Sequence, residues 1–233
     1  MKKLFLIICI IFLGISASAQ ISTLLEKGKS GIGIKGIYET SNSFYGFGGK
    51  IDGSVAGKLD IEFIYENRYW DQAKNNLLKA DATSAYYEGR LTWWFIRKEV
   101  IPSFDVNFGV LTSVDYSPFK NYMYAGGTDG KDTYSEYYLD GQIGLVSSVV
   151  FQVEKNWFIE PAFSIQYEFG KIQESVQNEK RNSSSTGVTS KIGLSIMKRF
   201  TTGSAIYLTT EQYMDTYGPY PFYQFSLGYI LPL

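Results

Sequence analysis

The run LDIEFIYENRY, residues 59–69, sorts its side chains by parity. In an extended chain Leu59, Ile61, Phe63 and Tyr65 share one face, while Asp60, Glu62, Glu66 and Arg68 share the other. The pattern recurs along the chain. Tyr87, Leu91, Trp93 and Phe95 oppose Glu88 and Arg90; Phe104, Val106, Phe108, Val110 and Val114 oppose Asp105, Asn107 and Asp115; Ile159, Phe163, Ile165, Tyr167 and Phe169 oppose Glu160, Gln166 and Glu168. Ten runs alternate in this way, near 31–40, 44–55, 58–69, 83–96, 102–116, 134–153, 157–169, 187–198, 204–214 and 222–231.

For every run there is a register that leaves the apolar face without charge. The opposite face then carries Lys35, Glu39, Lys50, Asp52, Asp60, Glu62, Glu66, Arg68, Glu88, Arg90, Asp105, Asp115, Asp140, Glu160, Glu168, Lys191 and Glu211. A soluble sandwich or lipocalin-like barrel explains alternation, but not acids and bases facing each other on nearly every strand. Lipid enforces such a ban, because a Lys or Arg at the bilayer midplane costs about 2–4 kcal/mol. The expectation is an all-β, transmembrane, antiparallel up-and-down barrel of about ten strands, with eight or twelve as alternatives.

The connections agree. Short links near 55–58, 97–101, 154–157 and 199–203 alternate with longer ones at 70–82, 117–133, 170–186 and 215–221; the link 41–43 is a short exception. Short periplasmic turns and longer outer loops mark outer-membrane barrels, and an even strand count puts both termini in the periplasm. Trp93, Phe95, Phe104, Trp157 and Phe158 fall beside the short turns, and Tyr38, Tyr45, Tyr69, Trp70, Tyr116, Tyr137, Tyr167 and Tyr213 beside the loops. They are expected to form the two girdles at the membrane boundaries.

Residues 1–19 carry Lys2 and Lys3, an apolar stretch too short to cross a bilayer as a helix, and an Ala17-Ser18-Ala19 ending. This predicts a signal peptide cleaved before Gln20, with 20–233 as the barrel. Cys9 lies within that signal, so the remaining chain has no disulfide or thiolate metal site. Without Lys2 and Lys3 the chain has 20 basic and 23 acidic residues, which gives no reason to expect a nucleic-acid partner.

The chain ends Ser226-Leu227-Gly228-Tyr229-Ile230-Leu231-Pro232-Leu233. Polar-x-Gly-x-x-apolar-x-apolar resembles the C-terminal insertion signal of outer-membrane β-barrel proteins, with Gly228, Tyr229, Leu231 and Leu233 at the matching positions. Leu233 stands where that class usually ends in an aromatic residue. The whole chain resembles a small, porin-like barrel of Gram-negative bacteria. The resemblance implies outer-membrane lipid and the barrel-assembly machinery as partners.

Histidine is absent. Serine–histidine catalysis, histidine–aspartate water activation and histidine metal ligation are thereby excluded, as is the chemistry of the omptin-type proteases, phospholipases and acyltransferases among small outer-membrane barrels. A carboxylate pair at Glu62 and Glu88 remains possible. The alternative is structural: Asp60, Glu62, Glu66, Arg68, Glu88, Arg90, Asp105, Glu160, Glu168 and Lys191 would form a charge network filling the lumen, with no catalytic, cofactor or metal site. A narrow channel is a second possibility; among the 17 inward charges acids outnumber bases by 12 to 5, which would favour cations.

A third possibility is recognition by the outer loops, above all SPFKNYMYAGGTDGKDTYSEYY, residues 117–138, where Tyr122, Tyr124 and Tyr134 are candidate contacts with a protein partner. Asp129, Asp132 and Glu136 in the same stretch do not match the spacing of a calcium loop. The stretch QNEKRNSSSTG, residues 177–187, reads as a polar, flexible tip. A subunit of a larger outer-membrane complex, its lipid face packed on another protein, fits as well.

Overall fold

The structure, a computed structural model, describes residues 28–71, 82–123, 133–176, 179–215 and 222–233. The segment 1–19 with Cys9, and the loop positions Tyr124, Asp129 and Asp132, lie outside the described residues. Ten strands form: β1 (Gly31–Thr40), β2 (Phe44–Val55), β3 (Leu59–Trp70), β4 (Ala82–Ile101), β5 (Phe104–Met123), β6 (Thr133–Glu154), β7 (Trp157–Val176), β8 (Glu179–Arg199), β9 (Ala205–Asp215) and β10 (Phe222–Pro232). Each is antiparallel to the next, and β10 closes on β1 through ten register pairs from Gly31–Pro232 to Thr40–Tyr223. Closure removes the sheet edges. Pro232 sits at the end of β10, where a lost N–H costs least, and the Leu233 N–H donates to the Ser30 carbonyl at 2.9 Å.

Parity holds around the barrel. Leu227 is 60% exposed beside Ser226 at 4%, and Phe63 is 64% exposed beside a fully buried Glu62. Ile34, Ile51, Leu91, Val114, Ile165 and Leu208 also face outward, whereas Lys35, Asp52, Asp60, Glu66, Arg90 and Glu160 are buried inside. An apolar exterior around a charged interior reverses a soluble barrel, and lipid is the medium that satisfies it. The fold is a transmembrane β-barrel.

The tight turns gather at one end. Ala56 and Gly57 both take positive φ (51° and 58°) in the three-residue link between β2 and β3, where the Lys58 N–H donates to the Val55 carbonyl at 3.0 Å. Ser103 and Asn156 serve the next two turns, each at positive φ. Gly31 of β1 and Pro232 of β10 lie at this turn end; the opposite, loop end carries the remaining links.

The structure corrects the loop stretches, the polar tip and three of the girdle residues. The stretches 117–133 and 170–186 are largely strand: β5 reaches Met123, β7 reaches Val176, and β8 begins at Glu179. The polar tip expected at 177–187 is therefore strand from Glu179 onward. Cross-strand pairing outweighs its polarity, with Gln173 Nε2 donating to Asn182 Oδ1 at 3.2 Å and Glu174 in register with Arg181. As a result β5–β8 run 20 to 22 residues against 10 to 12 for β1–β3, β9 and β10, and they rise as a wall at the loop end.

Three girdle residues point inward instead. Trp70 donates from Nε1 to Ser84 Oγ at 2.9 Å, Tyr213 is buried beside Glu211, and Phe158 packs on Met197, Ala205, Tyr207 and Ile230. In each case parity with a buried polar neighbour, not nearness to a strand end, sets the direction. Lys198 lies on the outer face, 5.3 Å from the Trp157 ring centre at the turn end, where its stem can follow the apolar surface to the boundary. In β4, the register shift between Trp94 and Ile96 leaves both Phe95 and Ile96 exposed; Arg97 donates to the Gly57 carbonyl at 2.7 Å.

Replacing Leu227, Tyr229 and Leu231 together by Asp places three charges on the lipid face. The expected result is loss of membrane insertion, read as the disappearance of the heat-modifiable folded band after refolding into vesicles.

Candidate functional site: the charged lumen

The register stacks inward side chains in rows around the barrel. One row runs Lys35, Lys50, Ile64, Glu88, Asp115, Asp140; its neighbour toward the turn end runs Asp52, Glu62, Arg90, Ser113, Gln142, Glu168. Where cations of one row meet anions of the other, ion pairs form. Lys50 Nζ lies 2.7 Å from Glu62 Oε1 and 3.9 Å from Asp52 Oδ2, and Lys35 Nζ lies 3.6 Å from the same Asp52 oxygen. Arg90 bridges two carboxylates, with Nη1 3.2 Å from Glu62 and Nη2 2.8 Å from Glu88 Oε1. Glu88 also accepts from the Tyr86 hydroxyl at 3.0 Å.

Lys191 and Glu211 complete this tier from the far wall, within Coulomb reach of Arg90 and Glu88 for the one and of Lys35 and Arg90 for the other. The tier holds four cations, Lys35, Lys50, Arg90 and Lys191, and four anions, Asp52, Glu62, Glu88 and Glu211, so it is neutral in itself. All eight are at most 6% exposed. Such burial is tolerated because each charge has an opposite one at hand.

Toward the loop end, Glu39 and Glu66 are clamped together. Arg68 donates from Nε to Glu39 at 2.9 Å and from Nη2 to Glu66 at 3.1 Å, and Gln224 Nε2 lies 2.9 Å from each carboxylate. Aromatic rings cover this clamp. The Tyr86 ring centre is 4.0 Å from the Arg68 guanidinium, and Phe44 packs on Trp70 at 4.8 Å with the rings tilted by 39°. Phe222 meets Tyr213 at 4.1 Å, and Phe119 meets Trp70 edge-on at 5.5 Å. At the turn end Trp94 donates to Asp60 at 2.9 Å, and two apolar clusters face inward: Met197, Ala205, Tyr207 and Ile230, and Trp94, Leu111 and Val146.

The residues expected in the lumen point inward. Asp60, Glu62, Glu66, Glu88, Arg90, Glu160 and Lys191 are buried, and Arg68, Asp105 and Glu168 are half-buried. The structure joins Glu62, Glu88 and Arg90 directly, and Arg68 with Glu66; Asp60 belongs to the turn end and Glu168 to the tall wall. Gln224, Tyr86 and Tyr207 were missed as members of the interior, and Glu39, expected on the inward face, was left out of the charge network. Their signal was parity: Tyr86 precedes Glu88 by two, and Tyr207 precedes Glu211 by four. Tyr122 and Tyr134, read as loop contacts, are strand residues in register with each other. Tyr229, Leu231 and Leu233 of the terminal motif are exposed, while Gly228 faces in, where an added Cβ would lie 2.4 Å from the Tyr207 ring.

Glu62 and Glu88, the carboxylates open to a hydrolytic reading, are both held by Arg90 and both under 5% exposed. Fixed in this way they are acceptors with their lone pairs engaged. Among the described residues no three acidic side chains are placed to hold a metal ion.

No family model matches the chain, and no curated protein matches it in sequence. Solved outer-membrane barrels overlap it in outline. The outer-membrane protease OmpT from Escherichia coli does so at 7% identity and a TM-score of 0.48, covering 88% of this chain and 94% of that one. The β domain of the Bordetella autotransporter BrkA does so at 12% and 0.46, over 86% and 98%. The N-terminal barrel domain of Pseudomonas aeruginosa OprF does so at 9% and 0.35, over 88% and 100%. Overlap this loose conveys neither family nor activity.

Arg90→Met takes the ion-pair partner from Glu88 and leaves Glu62 with Lys50 alone, and the expected loss is about 3–5 kcal/mol of folding stability. Adding Glu88→Gln, which returns the tier to neutrality and leaves the Lys50–Glu62 pair intact, should recover most of it. Urea midpoints of the refolded proteins in detergent measure both.

Proposed function

We propose that the chain is a non-enzymatic barrel of the outer membrane, closed to solutes, with its turn end and termini in the periplasm and its tall wall outside. The wall is the working part: it presents strand surface to a protein partner. The observation that carries this is the wall itself. β9 stops at Asp215, in register with Thr189, so from Asn182 to Gly187 β8 has only β7 as a strand neighbour among the described residues. Such an edge is a template for an added strand. An accessory role in a larger complex is one form of the same contact.

Closure is supported by the packing of the interior. Neutral ion pairs fill the middle, aromatic rings the loop end, and apolar clusters the turn end. The narrow cation channel would need a continuous water path through side chains that bury one another. Orientation is supported by the arrangement of links, since short turns belong to the periplasmic side of such barrels.

In a planar bilayer with a salt gradient, the refolded protein should give no steady openings; regular cation-selective steps would instead favour the channel. For the partner, a photo-crosslinking residue at Ser184 should give a discrete adduct on intact cells. The same probe at lipid-facing Leu208 should give none, and equal labelling at both would count against the edge.

A further inference from the structure

Cations gather where β2, β3 and β4 meet at the turn end. Lys58 closes the β2–β3 link, and its carbonyl accepts the Trp94 N–H at 2.8 Å. Gly28 and Lys29 lie against the same link. A Cβ added to Gly57 would stand 3.3 Å from the Gly28 nitrogen, 3.5 Å from the Lys29 carbonyl oxygen and 2.4 Å from Arg97 Nη1. The Ala56 N–H donates to Ser30 Oγ at 3.0 Å, which holds the segment before β1 in place. Lys98 follows on β4 and shares parity with lipid-facing Ile96. Lys29, Lys58 and Lys98 are all exposed. Of the acids near them in sequence, Asp60 is buried in the lumen, and Glu99 has the opposite parity to Lys98 and stands across from Asp105.

A second feature lies on the same strands, deeper in the hydrocarbon. A groove of about 660 Å³ opens on the lipid face, walled by Ile51, Phe63, Tyr65 and Tyr87 and floored by Gly49 and Gly89. Gly49 pairs with Gly36, and Gly89 stands between Phe63 and Val114. A Cβ on Gly36 would meet nothing within 4 Å, and one on Gly49 only the Lys35 carbonyl oxygen at 3.4 Å. The Tyr65 and Tyr87 rings, 5.2 Å apart, close the groove toward the loop end. Between groove and cations the outward face is apolar, with Ile61 beside Leu91 and then Leu59 beside Trp93. Val55 to Gly49 is six residues (55 minus 49), about 20 Å along the strand and about 14 Å along the bilayer normal at a tilt of about 45°. Half of a hydrocarbon core of about 30 Å is about 15 Å, the reach of one lipid chain.

We infer that the outer face of β1–β4 seats one anionic phospholipid from the leaflet at the turn end. Its phosphate lies among Lys29, Lys58 and Lys98, and one acyl chain runs past Trp93 into the groove. Charge selects the headgroup, since clustered lysines at a bilayer surface draw anionic lipid. Shape selects the chain: a flexible hydrocarbon can follow an irregular trough floored by backbone and gain the close contacts that Gly36, Gly49 and Gly89 leave open. A second copy of the chain suits the place less well. A two-fold axis along the bilayer normal would bring its Lys58 and Lys98 to the same height, where like charges repel. The seat is independent of the partner-presenting wall, and the orientation proposed above serves only to name the leaflet as the periplasmic one.

The test uses the refolded full chain carrying Trp157→Phe, in which Trp93 is the one lipid-facing tryptophan, since Trp70 and Trp94 turn inward. The vesicles are phosphatidylcholine doped with either brominated phosphatidylglycerol or brominated phosphatidylcholine, and quenching of Trp93 gives the relative affinity of the two lipids. Phosphatidylglycerol should be favoured roughly tenfold, and Lys29→Gln/Lys58→Gln/Lys98→Gln should bring the two to parity. Gly49→Leu, which fills the groove and leaves every lysine in place, should weaken phosphatidylglycerol severalfold. The heat-modifiable band checks that each variant folds. Equal quenching by the two lipids in the parent would overturn the seat, as would an unchanged preference in either variant. Quenching by neither lipid would give the groove to a second copy and overturn the seat as well. Vesicles offer the lipid in both leaflets, so failure here strikes the lipid seat alone, whereas conductance and edge crosslinking decide the closed, partner-presenting barrel.

Discussion

A charge that cannot face hydrocarbon must go inside, and inside a ten-stranded barrel there is little room for water. Most of the structure follows from that constraint. Once lipid claims one parity of every strand, Lys35, Lys50, Arg90 and Lys191 are committed to the lumen, and each must find a carboxylate there. The register of β1 through β4 matters because it sets cation rows beside anion rows; a slip by one residue would turn the charged set into the membrane. Long side chains then cross the lumen. Gly48, Gly144, Ser195 and Thr209 leave space on the inward face, which large neighbours fill.

The interior is uneven. On one side the charges cancel, as with Arg90 held between Glu62 and Glu88. On the other, along β5–β7, acids face acids and neutral oxygens go without donors. That second region lies at the foot of the strands that outrun their neighbours.

Much of this was legible in the sequence, since lipid and lumen impose a period of two that survives in the bare residues. Strand number, the bounds of β1 and β2, and the inward direction of Asp60 through Arg68 could be read from parity alone. The errors came where parity was set aside. Ser183-Ser184-Ser185-Thr186 was read as loop because it is polar, yet above the membrane a strand may be polar on both faces and is held by its ladder. Trp70, Phe158 and Tyr213 were assigned to girdles by nearness to strand ends, although each shares parity with a buried polar residue. The register shift at Trp94–Ile96 has no mark in composition. Pairing distances, and hence which carboxylate meets which cation, need three dimensions.

The central claim is that alternate residues of each strand see lipid and a packed, charged interior. Nitroxide labels placed one at a time along 59–68, in a chain with Cys9 replaced by Ser and refolded into vesicles, test it directly. Oxygen collision rates should alternate with period two, high at Ile61, Phe63 and Tyr65 and low at Glu62, Ile64 and Glu66. Uniform rates, or high oxygen access at Ile64 with water-soluble relaxers reaching Phe63, would contradict the barrel as described.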